Sequence, residues 1–151
     1  MWYRVFGRSD ADVPPAALAA HLHAAGLPVE PHFRGDDLGW TGGELRLAGL
    51  DSPVVLDRYL AAADDLRDDL NAHAAALEAA AAGPHGLALM EHVALTRQLV
   101  VARRPPAGDA ALLDRLLDET CRFLAARTAG VYQVDGRGWF DAAGTLLHEE
   151  T

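Results

Sequence analysis

The run Leu99-Val100-Val101-Ala102, closed by Arg103-Arg104-Pro105-Pro106, carries no polar alternation. A strand that is apolar on both sides is one covered on both faces, so this run predicts a central strand. Behind the two prolines, Leu112, Leu113, Leu116, Leu117, Cys121 and Leu124 recur at three- and four-residue intervals, which predicts an amphipathic helix from Asp109 to Arg127. Asp109 is placed to accept from the free N–H groups of the first turn, and Arg127 suits the negative end of the helix dipole. Gly130 is expected to take the left-handed turn beyond it. Val131-Tyr132-Gln133-Val134 then reads as extended. Strand, helix and strand make a crossover unit, right-handed if its two strands are parallel in one sheet.

The same order of elements opens the chain. Trp2 to Phe6 has strand composition, Pro14-Pro15 starts a helix with Leu18, Leu22 and Ala25 on its apolar side, and Gly26 and Pro28 end it. Val29 to Phe33 reads as a second strand, Arg34 to Trp40 as a glycine-rich acidic turn, and Glu44 to Leu47 as a half-buried strand. Two βαββ halves are therefore expected, over about 1–60 and 97–151, in a single α+β domain with a mixed sheet and helices packed against it. Pro53 to Leu60 fits a strand beside Glu44–Leu47 better than a helix capped by Ser52. Residues about 64–95 form the helical connection between the halves. Its first helix is predicted from Asp64 to Ala82, with Leu66, Leu70, Ala74, Leu77 and Ala81 on one face, and a shorter one from Gly86 to Ala94.

With 151 residues the chain can bury a sizeable core without a disulfide or a metal, and the single Cys121 has no partner for an internal disulfide. No apolar stretch is long enough to cross a bilayer, and no charged leader precedes an apolar block, so a cytoplasmic protein is expected. All 13 basic residues are arginine, with no lysine or isoleucine, the composition of a GC-rich bacterial coding sequence. A formal net charge of −9 argues against nucleic acid, whose recognition rests on a basic surface, and favours a basic protein partner.

Catalytic and metal-binding patterns are missing from the sequence. His21 and His23 are two apart on a helix and point in different directions, and His85, Glu91 and His92 lack a ligand spacing. Cys121 falls on the buried helix face, and neither Ser9 nor Ser52 lies in a nucleophile elbow. The glycine-rich turn from Asp135 to Asp141 lacks the alternating ligands of a calcium loop, and no phosphate-cradling or dinucleotide fingerprint exists. No cofactor is expected.

Two surface features stand out. Asp64, Asp65, Asp68 and Asp69 crowd one helix start, more carboxylates than capping requires. Asp36 and Asp37 flank Trp40 in a turn, the composition of an interface anchor, unless the ring folds under as core. The sequence thus supports a non-enzymatic interaction protein whose acidic surface recognises a basic partner, an immunity or antitoxin-like role being one concrete form. The alternative is a small-molecule binding protein or modest enzyme with a pocket between the halves, drawing on His32, Arg58, Glu91 and Arg103. Arg97, Arg103 and Arg104 around the central strand could form an anion pocket, but pairing with surplus carboxylates is the simpler expectation for them. A homodimer through a sheet edge is the third possibility.

Overall fold

The computed structural model describes residues 1–80 and 83–150. Its elements are β1 (Trp2–Gly7), α1 (Pro15–Ala24), β2 (Glu30–Asp36), β3 (Gly39–Arg46), β4 (Val54–Leu60), α2 (Arg67–Ala79), a single 3-10 turn (Gly83–His85), α3 (Gly86–Ala94), β5 (Gln98–Arg103), α4 (Ala110–Arg127), β6 (Gly130–Val134), β7 (Gly138–Phe140) and β8 (Leu146–Glu149). This is an α+β fold on one sheet of order β2-β3-β4-β5-β1-β6-β7-β8.

Every pairing in that sheet is antiparallel, so the expected mixed sheet is corrected. The reason lies in β1. It pairs with β5 on one side and β6 on the other. The two strands joined by α4 therefore run parallel to each other without touching, since β1 occupies the space between them. Strands β1 to β4 and β5 to β8 share this sheet, and β5 is seated between β4 and β1.

Alternation along the strands makes two cores. On one side α1 and α4 cover Tyr3 and Val5 of β1, Val100 and Ala102 of β5, Val54 and Leu56 of β4, and Tyr132 and Val134 of β6. On the other, α2 and α3 bury Leu70, Leu77, Leu89 and Val93 against Phe6, Leu99, Val131 and Trp139. The central run is thus covered on both faces at Leu99 and Val100, as its apolar character requires. Val101 is only half buried, because α2 and α3 stop short of β4, β3 and β2. On that face Val55 and Tyr59 are 46% and 39% exposed.

The ends of α4 follow from local chemistry. Asp109 caps it, its carboxylate accepting from Leu112 N at 3.1 Å. The left-handed residue after the helix is Ala129, at φ 50°, and not Gly130. Gly130 has a different reason to be glycine: a Cβ there would lie 2.8 Å from the Phe6 carbonyl oxygen across the ladder.

Two boundaries differ from the sequence expectation. The α2 helix starts at Arg67, not Asp64, because the Asp64 carboxylate accepts from Leu60 N at 2.8 Å and closes the turn after β4. Ala81 and Ala82, placed in this helix by the sequence pattern, lie outside the described residues. The stretch read as a long acidic turn is mostly ladder. Asp36 pairs with Gly39, leaving Asp37 and Leu38 as the turn, and a bulge at Arg34/Gly35 tightens the approach. A Cβ on Gly35 would sit 2.4 Å from Gly39 O.

Candidate functional site

Strand β4 organises the site because its alternation sends Val54, Leu56 and Arg58 inward and Val55, Asp57 and Tyr59 outward. Arg58 is 5% exposed. Its Nε donates to Gln98 Oε1 at 2.9 Å, Nη1 to the Leu38 and Trp40 carbonyls at 3.0 Å each, and Nη2 to the Asp10 carbonyl at 3.3 Å. The guanidinium also lies over the Trp40 ring at 5.9 Å. Gln98 continues the stitching, its Nε2 donating to Ser9 O at 2.7 Å and Ala11 O at 2.8 Å. Trp40 completes it by donating from Nε1 to Val13 O at 2.9 Å. Side chains of three strands thereby hold the loop before α1 and the tip of the β2–β3 hairpin against the sheet.

That arrangement brings the hairpin tip beside the turn leading to α2. Asp36, Leu38, Asp57, Tyr59 and Asp64 line a cavity of about 290 Å³. Tyr59 and Asp64 also line the adjoining one, of about 510 Å³, together with Arg4, Asp65, Asp69 and His73. The result is one groove floored by Tyr59 and bordered by both acidic stretches. None of Asp36, Asp37, Asp64, Asp65, Asp68 and Asp69 forms an ion pair with an arginine or histidine among the described residues. The groove's own cations are differently occupied. Arg4 donates to Asp135 and Gln133, both at 2.7 Å, and Arg34 stands 3.8 Å from Asp57.

The sequence-predicted residues fall into three groups. Asp36, Asp64, Asp65 and Asp69 line the groove. Asp36 and Asp64 also have local duties, Asp36 accepting from Leu38 N at 2.8 Å within the turn. Asp37 and Asp68 are exposed on its borders, at the turn tip and on the first turn of α2. Trp40 is corrected from exposed anchor to core, at 6% exposure, with Phe33 packed edge-on against it at 5.0 Å. The exposed large side chains there are Leu38 and Tyr59 instead. Tyr59 was not singled out from the sequence, although its signal was there: period two from Val55 puts it on the face opposite Arg58.

The residues of the small-molecule alternative do not converge. His32, Arg58 and Arg103 line three different cavities, and Glu91 is exposed on α3. Of the flanking arginines, Arg97 pairs with Asp10 at 3.1 Å and Arg104 with Asp114 at 3.4 Å, whereas Arg103 lies over the Trp2 ring at 5.5 Å with no ion pair among the described residues. Cys121 is fully buried, which pushes its thiol far above the usual range and leaves it inert. Among the described residues no group of three or more histidine, cysteine, aspartate or glutamate side chains is arranged to hold a metal ion, and no helix is long and apolar enough to cross a membrane.

His73 ties the groove to the second core. It packs edge-on against Phe6 at 5.3 Å and Trp139 at 6.4 Å. Burial holds its imidazole below the ordinary pKa of 6.5, Arg4 adding to the effect while Asp69, Asp135 and Glu150 oppose it. Burial also lowers His92, with Arg8 adding to it, against the opposing hydrogen bond to the Phe6 carbonyl at 2.8 Å. Both groups are favoured neutral in the folded protein, so the unfolded chain binds more protons once the pH falls below about 6.5. Stability is therefore full above that pH and declines below it until the folded-state pKa values are passed. A thermal melt series from about pH 8 to pH 5 should show this fall, and His73→Leu should flatten it; an unchanged slope would refute the assignment. Comparison of the chain with protein-family models, curated proteins and solved structures found no match.

Proposed function

We propose that this is a non-enzymatic interaction protein that receives a basic segment of a partner protein in the Tyr59 groove. The observation that carries the reading is the convergence of Asp36, Asp64, Asp65 and Asp69, without cation partners among the described residues, around an aromatic ring 39% exposed. An arginine or lysine entering there gains two interactions at once. Its charge is attracted by the carboxylates, and its cation can lie on the Tyr59 face, which is worth about 0.5–2 kcal/mol depending on desolvation. The net charge of −9 adds long-range steering, which speeds encounter with a basic partner. An immunity or antitoxin-like role, neutralising a basic toxin in the cytoplasm, is one concrete form of this function.

The test uses a fluorescent octa-arginine peptide titrated by anisotropy at low salt. Reversing Asp65, Asp68 and Asp69 to arginine should weaken binding about tenfold or more. Reversing Asp51, Glu78 and Glu91, exposed elsewhere, makes the same change in net charge and should weaken it less than about threefold. Asp64 is left intact because its carboxylate closes a turn. Equal effects from the two triples would mean the peptide senses overall charge only, and the groove would lose its role.

A further inference from the structure

A cavity of about 460 Å³ lies on the same open sheet face, at the end of β4 away from Asp64 and Asp65. Antiparallel pairing sets its floor. Trp2, Arg103 and Val55 occupy one register row across β1, β5 and β4, so their side chains stand beside one another on that face. The same pairing brings the start of β4 next to the end of β5, and both connections there are proline-bearing. Pro53 precedes β4 and Pro105-Pro106 follows β5, and all three line the cavity. A proline ring fixes its own φ, so these walls lose little conformational freedom when something enters between them. Trp2 is also held in place. Its N–H donates to Asp135 Oδ2 at 3.1 Å, and its carbonyl accepts from Asp135 N at 3.1 Å.

We infer that this cavity binds a small monocarboxylate with a flat apolar body, the carboxylate on Arg103 and the body between Trp2, Val55 and the prolines. The inference is independent of the acidic groove. Its chemistry follows from which charge is free. Arg104 lines the same cavity but is committed to Asp114 at 3.4 Å and to the Ala110 carbonyl at 3.3 Å. Its buried Nε–H has no hydrogen-bond partner among the described residues, so this wall is short of acceptors. Arg103 has no ion pair there at all, and it is exposed. A guanidinium presents paired N–H donors that match the two oxygens of a carboxylate.

Two further observations narrow the class. An ion pair open to water contributes little by itself, so a bare anion such as acetate gains too little to stay. Affinity has to come from apolar area, and Trp2 and Val55, 39% and 46% exposed, supply it. The one carboxylate lining the cavity is Asp57, two residues along β4 from Val55 and so about 7 Å away. It leaves the Arg103 end to an anion and opposes a second negative group at the far end. The net charge of −9 repels any anion at long range, but charges beyond about 10 Å are largely screened at about 0.1 M salt. Contact with Arg103 decides the balance.

The test titrates cinnamate into the full chain by calorimetry at about 0.1 M salt, beside cinnamyl alcohol, para-carboxycinnamate and acetate. Cinnamate should bind with a Kd below about 1 mM, the alcohol about fivefold more weakly and the dicarboxylate about threefold more weakly, with no heat from acetate. Arg103→Gln should weaken cinnamate about tenfold and the alcohol less than about twofold. Trp2→Ala should weaken both about fivefold. The two variants are to be matched to the parent by thermal melt, so that a loss of binding is not a loss of fold. Equal affinity for cinnamate and its alcohol, no cinnamate binding up to about 5 mM, or indifference to both substitutions would overturn the inference. So would a dimer in sedimentation at high concentration that Val55→Asp dissociates, since it would assign this face to a second copy.

Discussion

Replacing Arg58 by alanine is expected to lower unfolding stability by about 3–5 kcal/mol, because each orphaned buried acceptor costs about 1–3 kcal/mol and water refills only part of the space. The side chain is 5% exposed and supplies donors to the Leu38, Trp40 and Asp10 carbonyls and to Gln98. Truncation removes all of these together with the stacking on Trp40. Arg58→Lys should recover less than half of the loss. One ammonium cannot reproduce a planar fork that reaches acceptors on four residues. Urea denaturation of the three proteins checks this. A loss below about 1 kcal/mol for Arg58→Ala would mean that the loop before α1 does not depend on the network.

The second large effect belongs to the helix–sheet core. Leu116 is 0% exposed on α4, within the cluster that joins that helix to β1, β4, β5 and β6. Leu116→Ala should cost about 2–5 kcal/mol, the transfer energy of the lost carbons plus a cavity that a packed sheet cannot collapse to fill. Leu87→Ala provides the contrast within the same chain. That leucine is 80% exposed on α3, and its loss should fall within about 0.5 kcal/mol. Similar midpoints for the two variants in urea would contradict the assignment of α4 as the main cover of the sheet.

The parts of this fold that were legible in the sequence are those decided within a few residues. The apolar run of β5, the leucine spacing of α4 and its Asp109 cap depend on neighbours in the chain, and each stands where the pattern placed it. The β4 strand was recoverable for the same reason, since Val54, Leu56 and Arg58 alternate with Val55, Asp57 and Tyr59. Strand order was not legible, because nothing local to β1 says that its partners lie at 98–103 and 130–134. The antiparallel sheet follows from that insertion and was missed with it. The candidate site shows the same division. Both acidic stretches were visible as composition, yet their meeting across Tyr59 depends on where the β2–β3 hairpin tip lands, which the buried Arg58 decides. Trp40 illustrates the limit in one residue: an indole beside glycines and aspartates suits a surface anchor or a core wedge, and only the Val13 carbonyl settles which.

The position of β1 has a consequence for how the molecule comes into being on the ribosome. Strand β1 becomes the fourth from the β8 edge, inward of β6, β7 and β8, flanked by partners that follow it in the chain by roughly a hundred residues. Until β5 and β6 emerge, its backbone groups have no ladder, and the β2–β3–β4 meander lacks the strand that connects it to the rest of the sheet. A topology with such distant pairings must close long loops before these contacts reward them, so folding is expected to be slower than that of a chain built from local contacts. During that wait the apolar side chains of β1, Tyr3, Val5 and Phe6, are the surface that a chaperone would have to hold.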